Sequence, residues 1–243
     1  MKQRTPEKIG LVFIHGAGLE GRIWSKVATG LDHPVLLAEL PQRKGDDETR
    51  KGLSLADYVN GIKRQVDEWG IRKFMIVAHS LGGVLALGLA SELKGRVAGI
   101  AAIGAVIPEN GGSFVSAMPF PKRIVLPAIL RKMGTKPPAA AIRAGLCNDL
   151  PADQAAEIVR GFIPEAVRVY TDRIGVSVPN VPKLYVKLTK DKELAPSLQN
   201  KMISNFSPQS VRSLETGHLP MLSDPDGLRS ILEDFLADAG YND

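Results

Sequence analysis

Apolar residues in this chain gather in short unbroken runs, set apart by stretches of helical periodicity. The runs "IGLVFIH" (9–15), "PVLLAEL" (34–40), "KFMIVAH" (73–79) and "VAGIAAIGAVI" (97–107) predict strands buried on both faces, because a half-exposed strand would alternate apolar with polar. Between them, "RIWSKVATGL" predicts a short helix and "SLADYVNGIKRQVDEWG" an amphipathic one. In the latter, Ser54 stands as N-cap while Leu55, Tyr58, Val59, Ile62 and Val66 share a face. The charged "PQRKGDDETRKG" (41–52) reads as a solvated loop, and an almost wholly apolar helix pattern covers 81–93. Strands alternating with helices predict an α/β fold, a doubly wound and mostly parallel sheet with right-handed crossovers.

From Pro108 to Pro182 the rhythm changes. Prolines are frequent, the helical pieces are short ("RIVLPAILRKM", "PAAAIRAGL", "ADQAAEIVRGF"), and no strand pattern stands out. Strand runs resume at "KLYVKLT" (183–189) and "SVRSLE" (210–215), and "DPDGLRSILEDFLADAG" follows as a helix. Asp224 is placed to cap that helix, with Pro225 at its first position. The expected organisation is a core of residues 1–107 and 183–243 with 108–182 inserted as a helical cap, hinged near Gly111 and Gly112.

A length of 243 residues with 44% hydrophobic and 23% charged residues suits one such domain. The net charge is +5, but the bases are scattered without a run of five or six, so no nucleic-acid partner is expected. The most apolar region, Phe74 to Ile107, is interrupted by His79, Ser80, Glu92, Lys94 and Arg96; it reads as buried core, and no membrane partner is expected. The single cysteine, Cys147, excludes an internal disulfide framework; with no apolar leader pattern near the N-terminus, a cytoplasmic protein is expected.

One junction calls for a functional reason. In "RKFMIVAHSLGGVLALGLASEL" (72–93), Ser80 falls where a buried strand gives way to a buried helix. Ligand sites of parallel sheets lie beyond the carboxyl ends of the strands. A sharp turn there tolerates only small residues two before and two after the serine, and Ala78 and Gly82 fill those places. The sequence A-H-S-L-G-G fits a nucleophile elbow, with Ala for the first Gly. A serine hydroxyl is inert at its own pKa and needs a base.

These residues, with "VFIHGAG" (12–18), "TKDKELAPSLQ" (189–199) and "TGHLPMLSDP" (216–225), resemble the α/β-hydrolase superfamily. Within it, the chain is similar to the branch of plant methylesterases, hydroxynitrile lyases and bacterial carboxylesterase relatives. The resemblance implies an α/β-hydrolase fold with a six-stranded sheet, the two leading strands of larger members being absent. It implies Ser80 as nucleophile, His218 as general base and Asp191 as the acid that orients it, with Glu109 as the alternative acid. It also implies an oxyanion hole from the N–H groups of Ala17 and Leu81.

The implied reaction is hydrolysis of a carboxylic ester through an acyl-enzyme, without cofactor or metal. Its partner would be a small-molecule ester of small to medium size and no charge, since the cap segments "VSAMPFP", "IVLPAIL" and "VRGFIP" are apolar. The same apolar face would otherwise pack on the core or join a homodimer. Serine at position 80 argues against dehalogenases and epoxide hydrolases of this fold, which carry Asp there. Hydroxynitrile lyases of the known pattern carry Thr and Lys where this chain has Gly16 and Leu219. A lyase of another pattern, a carbon–carbon bond hydrolase and a weakly catalytic ligand receptor stay open. Of the other candidates, His15 reads as a loop tie, His79 as pointing away from Ser80, His33 as solvated and Cys147 as an apolar contact. Four histidines and one cysteine so spaced give no metal site.

Overall fold

The computed structural model describes residues 8–241. Six strands form one sheet: β1 (Gly10–Ile14), β2 (Val35–Ala38), β3 (Phe74–His79), β4 (Val97–Ile103), β5 (Lys183–Leu188) and β6 (Ser210–Leu214). Their order is β2-β1-β3-β4-β5-β6, and every pair is parallel. β1, β3 and β4 are buried at every position, which is why their sequences run apolar without alternation.

Strand direction of progress reverses between β1 and β3, the place where a doubly wound sheet opens a crevice. Helices Leu55–Trp69, Gly82–Glu92 and Pro196–Phe206 pack on one face with Val12, Ile14 and Ile76. Helix Pro225–Asp238 and the turn of helix around Trp24 pack on the other, with Leu11, Phe13 and Val77. Ser54 caps its helix through a full capping box with Asp57, and Asp224 caps the last helix through Gly227 N–H.

Between β4 and β5 lie five helices and no strand of the sheet. The segment leaves and returns through a neck, where Gly111 N–H donates to Ile174 O (2.9 Å) and Ile174 N–H donates to Gly112 O (2.7 Å).

Two expectations need correction. The charged stretch 41–52 is not simply a solvated loop: Asp47–Lys51 is helical, and Arg50 is buried. Its guanidinium donates to Pro164 O (2.7 Å) and Gln42 O (2.5 Å), carbonyls that the local sequence does not announce. His33 is half-buried, its Nδ1–H donating to Ile9 O at 3.1 Å. Among the described residues no helix is long and apolar enough to cross a membrane.

Candidate active site

Ser80 ends the path from β3 with φ of 54°, in the left-handed region that β-carbon-bearing residues avoid at a cost of about 1–3 kcal/mol. The turn is held by the Ser80 carbonyl, which accepts from Gly83 N–H (3.1 Å) and Val106 N–H (2.9 Å). Small neighbours are obligatory. A β-carbon on Gly82 would meet the Ile14 carbonyl oxygen at 2.7 Å, and one on Gly16 would meet the Ser80 Cβ at 2.9 Å. The chain from the end of β1 therefore lies directly against the serine.

His218 and Asp191 reach Ser80 from the ends of the next strands. Thr216 to His218 follow β6, and Asp191 follows β5. His218 Nε2 lies 3.0 Å from Ser80 Oγ, and His218 Nδ1 lies 2.7 Å from Asp191 Oδ2. A carboxylate can only accept, so the neutral imidazole carries its proton on Nδ1 and presents the Nε2 lone pair to the serine hydroxyl. All three residues are buried. Burial alone would push the His218 pKa down, but the charge of Asp191 and its hydrogen bond, with the more distant Glu193 and Asp149, outweigh it and raise the pKa above 6.5.

Asp191 is itself braced. Its Oδ1 accepts from the N–H groups of Glu193 (2.8 Å) and Leu194 (2.9 Å). Fully buried Gln199 donates to Leu188 O and Leu194 O and accepts from Leu188 N–H, closing the loop that carries the acid. Glu109 is not part of this chain of groups; its exposed side chain sits 3.9 Å from Lys201.

The histidines around the site are neutral by burial. His15 Nδ1–H donates to Gly16 O (2.8 Å), tying the loop as its position suggests. Burial, then the nearby Arg43 charge, lowers its pKa to about 3, so its 3.8 Å approach to Glu39 is not an ion pair. His79 packs beside His218. Its Nε2–H donates to the His218 carbonyl (2.8 Å), its ring lies 4.6 Å from that of His218, and burial holds its pKa well below 6.5. Cys147 is buried and its thiol is pushed up to about 11, which removes it as a nucleophile near neutral pH.

Ala17 and Leu81 flank Ser80 from the β1 loop and the helix start. Among the described residues neither N–H has an acceptor within the protein. The loop that carries Ala17 is held by a buried carboxylate that sequence reasoning missed. Glu165 Oε1 accepts from Gly18 N–H (3.1 Å) and pairs with Arg43, while Oε2 accepts from the Tyr58 hydroxyl (2.9 Å), which in turn accepts from Ala166 N–H (3.0 Å). Ile163 N–H adds a bond to Gly18 O at 3.1 Å.

A cavity of about 140 Å³ opens above Ser80, walled by Leu19, Phe114, Met118, Leu126, Phe162 and Tyr170. Two charged residues, Lys122 and Glu193, also reach it. Among the described residues no group of three or more His, Cys, Asp or Glu side chains could hold a metal ion.

In known structures the same architecture recurs. An extracellular alpha/beta-hydrolase from a Paenibacillus species superposes with a TM-score of 0.83 at 17% identity, over 93% of this chain and 98% of its own. A pyrethroid hydrolase from Sphingobium faniae gives 0.77 at 21%, over 95% and 98%, and an Arabidopsis methylesterase 0.75 at 19%, over 95% and 99%. At these identities the likeness is one of fold. By sequence, the chain is 28% identical over 166 residues to the biotin biosynthesis bifunctional protein BioHC of Cellvibrio japonicus, matching 65% of this chain but only 31% of that longer protein. The sequence pattern of the alpha/beta hydrolase family matches residues 11–231, nearly the whole length, and the chain belongs to that family.

Proposed function

We propose that this protein is a carboxylic ester hydrolase that works through Ser80, His218 and Asp191. The observation that carries the proposal is the unbroken chain from Asp191 Oδ2 to His218 (2.7 Å) and on to Ser80 Oγ (3.0 Å), at the floor of an apolar cavity. Nothing else in the fold requires three buried polar residues from three strand ends to converge there.

In the proposed reaction, Ser80 Oγ attacks the ester carbonyl as its proton passes to His218 Nε2. The N–H groups of Ala17 and Leu81 receive the oxyanion, each such donor lowering the barrier by about 3–4 kcal/mol. Asp191 stabilises the imidazolium, which then protonates the leaving alcohol. Water activated by the same Nε2 releases the acid and frees Ser80. Residues 108–182 act as the cap that forms the cavity's apolar wall. The cavity's size favours acyl or alcohol groups of modest length, and Lys122 and Glu193 offset one another, in keeping with an uncharged substrate.

Hydrolysis of p-nitrophenyl esters from acetate to dodecanoate, by wild type and Ser80→Ala in parallel, tests this. Turnover greatest on the shorter chains and absent in the variant is expected. No Ser80-dependent release on any chain length would overturn the assignment and make cyanohydrin cleavage the next assay.

A further inference from the structure

Helix Lys122–Met133 spans twelve residues, most of them apolar, yet none of its residues is buried. One side, with Lys122, Leu126 and Leu130, roofs the cavity above Ser80. Phe120 (71%) just before it, Ile124 (63%), Val125 and Ile129 away from the cavity, and Met133 (72%) at its last residue stand open to solvent. So much exposed apolar surface on one element marks an interaction face.

Charge says what covers it. Residues 110–148 contain six Lys and Arg and no Asp or Glu, so this segment carries +6 in a chain whose total is +5. Beside the helix, Arg123, Arg131 and Arg173 line a concavity of about 280 Å³ together with Ser116 and Thr171. Among the described residues none of the three guanidinium groups has a hydrogen-bond or carboxylate partner. Of the carboxylates near it, Glu109 in the adjoining concavity faces Lys201 and Asp172 pairs with Arg168. Unpaired arginines with neighbouring hydroxyls suit a phosphate oxyanion. A two-fold contact with a second copy would set this positive face against itself, which argues against a homodimer here.

We infer that this face docks on an anionic phospholipid surface. Phe120, Ile124 and Met133 enter the boundary of the acyl region and Arg123, Arg131 and Arg173 take lipid phosphates, as an interfacial helix does. The sequence rightly offers no spanning helix; lying on a membrane is a different demand. Because the same helix roofs the cavity, docking sets the entrance against the lipid phase, where uncharged esters concentrate. That consequence rests on the proposed esterase activity; the docking itself does not.

Sedimentation with vesicles, using Ser80→Ala so that no lipid is consumed, tests the docking alone. Binding is expected to phosphatidylcholine vesicles containing about one third phosphatidylglycerol, and to fall steeply with salt and without the anionic lipid. The triple variant Arg123→Gln/Arg131→Gln/Arg173→Gln should bind on the order of 100-fold more weakly. Ile124→Ser/Met133→Ser should also weaken binding, with circular dichroism showing both variants folded. Soluble glycerol phosphate should compete poorly. Full competition by it, with Ile124→Ser/Met133→Ser binding like the parent, would reassign the arginines to a soluble anion. Absence of vesicle binding at low salt, or a stable dimer broken by Ile124→Ser/Met133→Ser, would overturn the inference.

Discussion

Asp149 accepts the backbone N–H of Gly217, the residue before His218, from the segment between β4 and β5. Its neighbour Asn148 donates to the carbonyl of Lys190, the residue before Asp191, at 3.0 Å. Two consecutive residues of the segment between β4 and β5 thus hold the loops of both the proposed base, His218, and the proposed acid, Asp191. Asp149→Ala should lower kcat about 10-fold with little change in KM, because it loosens His218 rather than the cavity. Asp149→Asn keeps an acceptor but loses the charge. It should recover most of kcat while moving the acid limb of the rate profile to lower pH. A KM effect alone, or no effect, would show that the contact serves only folding.

Ser80→Ala and His218→Ala should each reduce turnover by roughly 10⁴–10⁶-fold without unfolding the protein, and Asp191→Ala somewhat less. Glu109→Ala should be nearly silent, since its side chain is exposed and paired with Lys201. Steady-state kinetics on one ester, with thermal melts as a folding control, separates the two carboxylates.

The base must be unprotonated to work. Since the surrounding carboxylates raise the His218 pKa above 6.5, activity should rise with pH through a midpoint above that value. Asp191→Asn removes the main charge that favours the imidazolium. Its residual activity should therefore titrate at lower pH than the wild type's. A kcat/KM profile across neutral pH decides; a wild-type midpoint well below 6.5 would contradict the role given to Asp191.

His15 is neutral in the folded chain, with a pKa near 3 against 6.5 when free. Between those values the unfolded chain binds a proton that the folded one refuses. Its contribution to stability is complete above pH 6.5 and is lost as pH falls towards 3. His79 acts in the same direction. His15→Gln cannot take up the proton, so the melting temperature of this variant should decline less between pH 6.5 and 4 than that of the wild type, even if its melting temperature at pH 8 is lower. Parallel scanning calorimetry across that range would reveal the difference in slope.

What could be read from sequence follows from how local each cause is. β1, β3 and β4 were legible because burial on both faces leaves nothing but apolar residues to write. Ser54 and Asp224 were legible because a cap and its helix are adjacent. Ser80, Asp191 and His218 stand in motifs at three strand ends, and the parallel sheet brings those ends together. Arg43 and Glu165 were not legible. They lie 122 positions apart, and nothing near either residue says that the other will neutralise it. The same holds for Asp149, whose partner is a backbone N–H with no sequence signature. For His79, alternation along a strand gives the direction of a side chain but not what arrives over it from the end of β6, the carbonyl and ring of His218.

The neck at Gly111, Gly112 and Ile174 has a consequence for descent and for engineering. Everything between those positions is an excursion whose two ends are already joined, and no strand of the sheet lies within it. The cavity's roof and the reacting groups then belong to pieces of chain that can change at separate rates. A foreign excursion spliced in at the neck would inherit the serine, histidine and aspartate unchanged. It would have to bring a carboxylate where Glu165 meets Arg43, an acceptor where Asp149 meets Gly217, a donor where Asn148 meets Lys190 and a carbonyl where Pro164 meets Arg50. Under the proposed activity, substrate choice would travel with that exchangeable piece.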